Sequence, residues 1–294
     1  MTRVLTVQTV IYGNDPEDLA RSLTSLGCAL VVARREGLVG EVTFAHGDAS
    51  VSPLPGEVTE RLRGIGERYG FAYEYQSFGE NSGSARGQNR LAGAFPADWH
   101  LATNPDVVFG GTALARLWRR ATDPAVGILE ARQIPLELPK AYDPVTGETS
   151  WACAMCALVR GDLWRELGGY DEEHFFLYCD DVDMSWRARL GGHQVVHVPA
   201  ARVFHDKRDT LGPAPVHPPH EIFYSALGSY MMAAKWGGPD ELAAVRARIA
   251  GAPYVAARAE IDRLEAAGRV PDRLAGAERV AQFAPDGRFG SSRY

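Results

Sequence analysis

Four carboxylates, Asp171, Asp180, Asp181 and Asp183, crowd around the run Phe175-Phe176-Leu177-Tyr178 inside the segment 168–192, GGYDEEHFFLYCDDVDMSWRARLGG. Acids beside an apolar wall are costly to bury without partners. They are also the groups whose proton affinity a protein environment tunes for proton transfer. A helical pattern begins at once, with Val182, Trp186 and Leu190 on a stripe separate from Arg187 and Arg189. The plain structural reading is a helix capped by Asp180 or Asp181, with Asp183 pairing with Arg187 one turn on. Capping takes one acid, however, and this helix start supplies three within four residues.

Other residues suited to ligand chemistry lie where strands stop. Asn104-Pro105-Asp106 follows the short apolar stretch His100–Thr103. A carboxylate there is placed to bind a hard divalent cation, with Asn104 adding an oxygen or bonding a sugar hydroxyl, although Asn-Pro-Asp is equally ordinary turn chemistry. His205 ends the β-like run Ala201–Phe204, and imidazole beside a carboxylate suits an ion such as Mn²⁺. His174, His193 and His197 show no ligand spacing and read as structural. Residues 81–89, NSGSARGQN, open a helix with small residues whose N–H groups suit a phosphate or ribose, or simply a capped start. Gly64, Gly66 and Gly70 lack the strand and spacing of a dinucleotide fingerprint.

The elements that must position these residues alternate. A strand over Arg3–Tyr12 precedes a helix started by Asn14-Asp15-Pro16, with Leu19, Leu23, Leu26 and Leu30 on one face. A strand over Glu41–Ala45 leads into HGDAS, residues 46–50; a helix over Glu57–Tyr69 and a strand over Phe71–Tyr75 follow. Further strands are expected over Ala154–Val159, Gln194–Val198 and Ala201–His205, with a helix to Leu167 between. Such alternation implies an α/β fold with a mostly parallel sheet covered on both faces, and ligands at the carboxyl ends of its strands. Asp48 and Asp106 both fall just after strands. Residues 217–294 turn mostly helical, in three or four short helices, with Pro285–Tyr294 loosely held.

With 294 residues, 46% of them hydrophobic, the chain can bury a full core. A net charge of −6 argues against nucleic acid as the main partner. No signal peptide is visible and no apolar run reaches the roughly 18 residues that span a bilayer. Ile222–Ala234 reads as a core helix first, with an interfacial role or a homodimer through the tail as alternatives. The four cysteines suggest a reducing, cytoplasmic setting, and the Cys153/Cys156 pair reads as structural thiols.

Taken in order, these segments resemble the family 2 glycosyltransferases of the GT-A fold, in particular rhamnosyltransferase-like and galactofuranosyltransferase-like members. The likeness rests on the opening strand and turn from Thr9 to Asn14, on Asp48, and on Asn81, Gly83 and Asn89 in an NxGxxxxxN run. It rests further on Asn104-Pro105-Asp106 as a form of the metal-binding DxD motif, on 168–191 as GGYDExFFxYxEDxDxxxRxRxxG, and on His205. It covers roughly residues 3–236. Asp180 stands where the family has Glu, and the second strand begins late.

The resemblance implies a GT-A, Rossmann-like domain over 1–216 with a helical segment over 217–294. It implies an inverting, metal-dependent transfer of sugar from a UDP- or dTDP-sugar to a hydroxyl of a glycan or lipid-linked glycan. Thr9, Tyr12, Asn14, Asp48, Asn81, Gly83, Asn89 and Asn104 would face the donor. Asp106 and His205 would hold Mn²⁺ or Mg²⁺, and Asp181 would be the base. Trp151, Asp180 and Asp183 would support it or face the acceptor, whose pocket is sought in loops such as Glu137–Trp151. The site would lie in the cytoplasm, with peripheral contact at the inner membrane face as an option. Two rivals remain: a nucleotide-sugar-binding protein that lost activity, and a sugar-phosphate nucleotidyltransferase, against which the turn Tyr12-Gly13-Asn14-Asp15-Pro16 counts because a GxGTR-type loop is missing there.

Overall fold

A computed structural model describes residues 3–135, 140–205 and 218–289. The first strand, β1 (Leu5–Ile11), runs through the core and pairs in parallel with β2 (Val42–Asp48) and β4 (Trp99–Thr103). Between β1 and β2 lies α1 (Pro16–Arg35). Its N-cap is Asp15, whose carboxylate accepts from the Glu17 N–H at 2.8 Å, and Pro16 fits the first helical position. Leu19, Leu23, Leu26 and Leu30 are fully buried, so the apolar spacing defines the face that covers the sheet. Helix α2 (Gly56–Tyr69) leads to β3 (Ala72–Ser77), which pairs with β2, and α3 (Gly83–Ala94) leads to β4.

Past β4 the sheet departs from simple alternation. A short β5 (Val107–Phe109), α4 (Ala113–Arg120) and a long β6 (Val126–Ile134) come before β7 (Cys156–Arg160), α5 (Gly161–Leu167), α6 (Asp180–Leu190) and β8 (Gln194–His205). The order across the sheet is β3-β2-β1-β4-β7-β6-β8-β5; β7 is antiparallel to β4 and β6, and β5 to β8. Elements β5, α4 and β6 escape the sequence reading. β6 carries Gly127, Glu130, Arg132 and Gln133 among its apolar residues, which obscures it. The two strands expected at Gln194–Val198 and Ala201–His205 are one strand. Its register against β6 slips between Val198 and Arg202, where Pro199, unable to donate to a ladder, sits at the irregularity.

The last three helices, α7 (Pro219–Trp236), α8 (Pro239–Arg248) and α9 (Val255–Ala266), pack onto the rest of the chain. Met231, Met232 and Trp236 of α7 share one buried cluster with Phe175, Val182 and Trp186. Ile222–Ala234 is thus mainly a core helix, and among the described residues no helix is long and apolar enough to cross a membrane. Of the end expected to be loosely held, Pro285–Tyr294, Phe289 sets its ring edge on Trp186 at 6.3 Å, as Phe283 just before it does at 5.3 Å, and residues 290–294 lie outside the described residues. All four cysteines are free.

Candidate active site

Register places the carboxyl ends of β1 and β2 and of β4 and β8 along one edge of the sheet. Ile11 stands beside Asp48, and Val107, just past Asp106, stands opposite His205. Thr103 pairs with Cys156 at the start of antiparallel β7, so residues 153–155 emerge beside Asn104. The Asn104 N–H donates to the Met155 carbonyl at 3.0 Å, and the Ala154 N–H donates to Asp181 Oδ2 at 3.0 Å. Two short bonds therefore join the Asn-Pro-Asp turn to the acidic helix.

At the β8 end, Asp106 Oδ2 lies 3.1 Å from His205 Nε2, and the Asn104 amide nitrogen 3.5 Å from the same ring nitrogen. The Gln133 side chain holds Nδ1 at 3.0 Å, which fixes the ring plane. His205 is almost fully buried while Asp106 is partly open. Among the described residues no group of three or more His, Cys, Asp or Glu is arranged to hold a metal. One carboxylate and one imidazole nevertheless match a divalent ion that keeps water and takes its other ligands from a diphosphate. An ion on Nε2 requires the proton on Nδ1, which the Gln133 amide accepts once turned over. The residues fit an open site of that kind. Residues 206–217, which follow His205, lie outside the described residues.

The carboxyl end of β2 is built differently. Asp48 Oδ1 accepts from the Ser50 N–H at 2.9 Å, and Oδ2 accepts from the Leu54 N–H at 3.0 Å and the Tyr75 hydroxyl at 2.5 Å. Burial alone would raise this carboxyl; hydrogen bonds from Ser50, Tyr75 and Leu54 outweigh it and hold the group below its usual range. The Gly13 N–H donates to Ser50 Oγ at 2.8 Å and Asn14 Oδ1 accepts from the Tyr12 N–H at 2.9 Å, so the turns after β1 and β2 are tied together, with Tyr12 exposed. Thr9, expected to face the donor, is fully buried within β1 and offers a ligand no surface.

In the run 81–89, Gly83, Ser84 and Asn89 meet the acidic segment. Gly83 adopts φ +67°, and a Cβ there would lie 2.2 Å from the Phe176 carbonyl oxygen. That carbonyl accepts from the Ser84 N–H at 2.9 Å, while the Gly83 N–H is taken by Asn81 at 3.2 Å. Asn89 accepts from the Tyr170 N–H at 2.8 Å and donates to the Tyr170 carbonyl and Glu172, at 2.8 and 2.9 Å. Helix α3 thus holds the acidic segment in place through Ser84 and Asn89. The sequence pattern is the same; its partners are distant in the chain and invisible in it.

Along α6 the acids separate by role. Asp183 is fully buried and accepts from Arg187 Nε at 2.7 Å, Lys235 Nζ at 2.7 Å and Trp236 Nε1 at 2.8 Å. Asp181 is half-buried and takes the Ala154 and Val182 N–H groups. Burial raises its proton affinity against those bonds and the nearby Lys140 charge. Burial and then the Asp181 charge push Asp180 up to about 7. Its Oδ2 has no hydrogen-bond partner among the described residues. The pair shares less than two full charges near neutrality.

A buried network missed from sequence supports Asp181 from beneath. Glu130 accepts from Lys140 Nζ at 2.6 Å, the Cys153 N–H at 2.9 Å and His197 Nδ1 at 2.7 Å. Lys140 also donates to the Trp151 carbonyl at 2.8 Å, and its ammonium stands 4.2 Å from the Trp151 ring centre. Trp151 is therefore a buried support of the 151–154 turn, with only 7% of its surface exposed, and leaves acceptor contact to others. A better candidate for the acceptor side is a groove of about 470 Å³ between the acidic segment, α7 and α9, lined by Phe176, Tyr224, Leu227, Met231, Arg263 and Arg269 among others. Phe176 and Tyr224 stack at 4.8 Å within it.

The proteins found similar to this chain in sequence or fold are glycosyltransferases. No family model matches the chain. Over 73% of its length and 80% of the relative's, it is 27% identical to an N-acetylglucosaminyl-diphospho-decaprenol L-rhamnosyltransferase of Mycobacterium tuberculosis. The fold is similar to that of a mannosyltransferase from Pyrobaculum calidifontis in complex with GDP-Man and Mn²⁺ (TM-score 0.55, 14% identity, 95% of this chain and 78% of that one). It is also similar to GalNAc-T7 with UDP, GalNAc and Mn²⁺ (TM-score 0.61, 15% identity, 92% of this chain and 56% of that one). The protein therefore has the GT-A fold expected from its sequence. Its likeness in sequence lies with a rhamnosyltransferase, and the structures that share its fold are those of glycosyltransferases.

Proposed function

We propose that the protein transfers a sugar from a UDP- or dTDP-linked donor to a hydroxyl of a glycan or lipid-linked glycan, with inversion at the anomeric carbon. The observation that carries this reading is the short hydrogen-bonded path from the Asp106–His205 pair through Asn104 and Met155–Ala154 to Asp181. The donor would lie along the strand ends, its nucleoside over the tied turns at Tyr12, Asn14 and Asp48. Asp106 and His205 would hold Mn²⁺ or Mg²⁺, which when bound supplies positive charge to the departing diphosphate.

Asp181 acts on the acceptor. Its carboxylate accepts the hydroxyl proton as the oxygen bonds to the anomeric carbon, while the bond from that carbon to the diphosphate breaks. The raised proton affinity of the Asp180–Asp181 pair makes it a better base than an exposed Asp. The groove beside Phe176 joins an aromatic and apolar wall to charged residues, among them Glu172, Glu260, Arg263 and Arg269, a mixture that suits a lipid-linked acceptor of the kind the relative is named for. Peripheral contact with a membrane would follow from such an acceptor.

Incubation with a panel of UDP- and dTDP-sugars, Mn²⁺ and a lipid-diphosphate-linked glycan tests the reading. One donor should be consumed, and proton NMR should find the product linkage inverted relative to the donor. Retained configuration would overturn the single-displacement chemistry. Donor binding without turnover would favour the inactive binding protein instead.

A further inference from the structure

We infer that Lys235 of α7 is a positioning residue for Asp181, because its ammonium ties together both ends of the segment that carries the base. The inference rests on the reading of Asp181 given above. Lys235 Nζ lies 2.7 Å from Asp171 Oδ2 and 2.7 Å from Asp183 Oδ1. Everything between those two acids, residues 172–182, includes Phe176, Asp180 and Asp181. Lys235 itself is 11% exposed in its side chain and acts from behind the site, through the segment it closes.

The segment needs such closure. Tyr178 and Cys179, immediately before the acids, take φ values of +66° and +68°, a conformation that non-glycine residues hold only where their surroundings impose it. Helix α7 supplies those surroundings. Gly228 lets the strained turn approach: a Cβ there would lie 2.9 Å from Cys179 Sγ and 3.1 Å from the Tyr178 carbonyl oxygen. One helical stretch further on, Trp236 donates to the same Asp183 oxygen that Lys235 holds, at 2.8 Å, while Arg187 takes the other at 2.7 Å. His174 is the second partner of Asp171, at 2.8 Å. Removing the ammonium leaves Asp183 with Arg187 and Trp236 and Asp171 with His174, and the Arg187 bonds to the Leu167 and Gly169 carbonyls, both at 2.8 Å, as the remaining side-chain tie between the two ends. The residues after the GT-A sheet thereby become part of the catalytic apparatus.

The test compares full-length wild type, Lys235→Met and Lys235→Arg by amide hydrogen exchange read by mass spectrometry, together with kcat and donor KM. Lys235→Met should speed exchange in peptides spanning 172–182 by about tenfold or more while leaving β1 and β2 unchanged. It should lower kcat by about tenfold with donor KM within about twofold, and Lys235→Arg should restore most of both. Gly228→Ala presses on the same turn without removing a charge, and should reproduce the pattern if Lys235→Met fails to fold. Unchanged exchange in 172–182, or an equal rise throughout the sheet, overturns the inference. If the wild type turns over no donor, the proposed reaction fails, and the exchange data alone still decide whether the clamp exists.

Discussion

Asp48 and Asp181 both reach the same edge of one sheet, yet their surroundings drive their protons in opposite directions. Asp48 is saturated: two backbone N–H groups and the Tyr75 hydroxyl fix it as a carboxylate. Asp181 is under-satisfied, held by two N–H groups in a buried setting beside a second acid whose Oδ2 lacks a partner among the described residues. Saturation suits a group that shapes a loop for binding. Under-satisfaction suits a group that must take a proton and release it.

The contrast is broken most severely by Asp181→Asn. The side chain keeps its size and loses its basicity, so turnover should fall by about 10²–10⁴ with donor affinity little changed, measured by nucleotide release and by titration calorimetry. Turnover within a few-fold of wild type would give the base to another group.

Asp180 gives the next largest effect, on stability. Its native carboxyl keeps a proton up to about pH 7, whereas the unfolded chain gives it up near pH 4. The native state therefore binds more protons between those values, and wild-type stability falls as pH rises through that window. Asp180→Asn escapes this loss, so its melting temperature should gain on the wild type from about pH 4 to about pH 7 and level off above. An offset independent of pH would mean that Asp180 ionises normally.

Tyr75→Phe probes the saturated side and should do least. One hydrogen bond to a charged group is worth about 1.5 kcal/mol at this partly buried position. Because the Asp48 pKa is depressed, that stability is present above the unfolded value near 4 and is lost as pH falls through the lower native value. Urea unfolding should therefore separate the variant from wild type at pH 7 and bring them together in strong acid. An equal difference at both pH values would make the Tyr75 contribution one of packing.

The same contrast explains what sequence made legible. Local features came through: the Asp15 cap and leucine face of α1, the acid at the end of β2, the Asn-Pro-Asp turn, and Val182 and Trp186 on the buried stripe of α6. Each is written within a few neighbouring residues. What stayed hidden depends on partners far along the chain. Asn89 looks like a donor contact until Tyr170 is seen to take both ends of its amide. Glu130 and Lys140 carry no local signal, and only their burial against Cys153, Trp151 and His197 makes them a support for the base. The helical segment over 217–294 gives no local sign of its core partners, because Phe175 and Trp186 lie in another part of the sequence.

The account stands on Asp106, His205 and Asp181 opening into one pocket, and Mn²⁺ itself can report on that by paramagnetic broadening of amide NMR signals. A metal held by Asp106 and His205 should broaden the Val107 amide and, with it, the Ala154 and Val182 amides that donate to Asp181, while Ala257 in α9 stays sharp and Asp106→Ala abolishes the effect. Broadening of Val107 with Ala154 and Val182 untouched would separate the ion from the base and contradict a shared site.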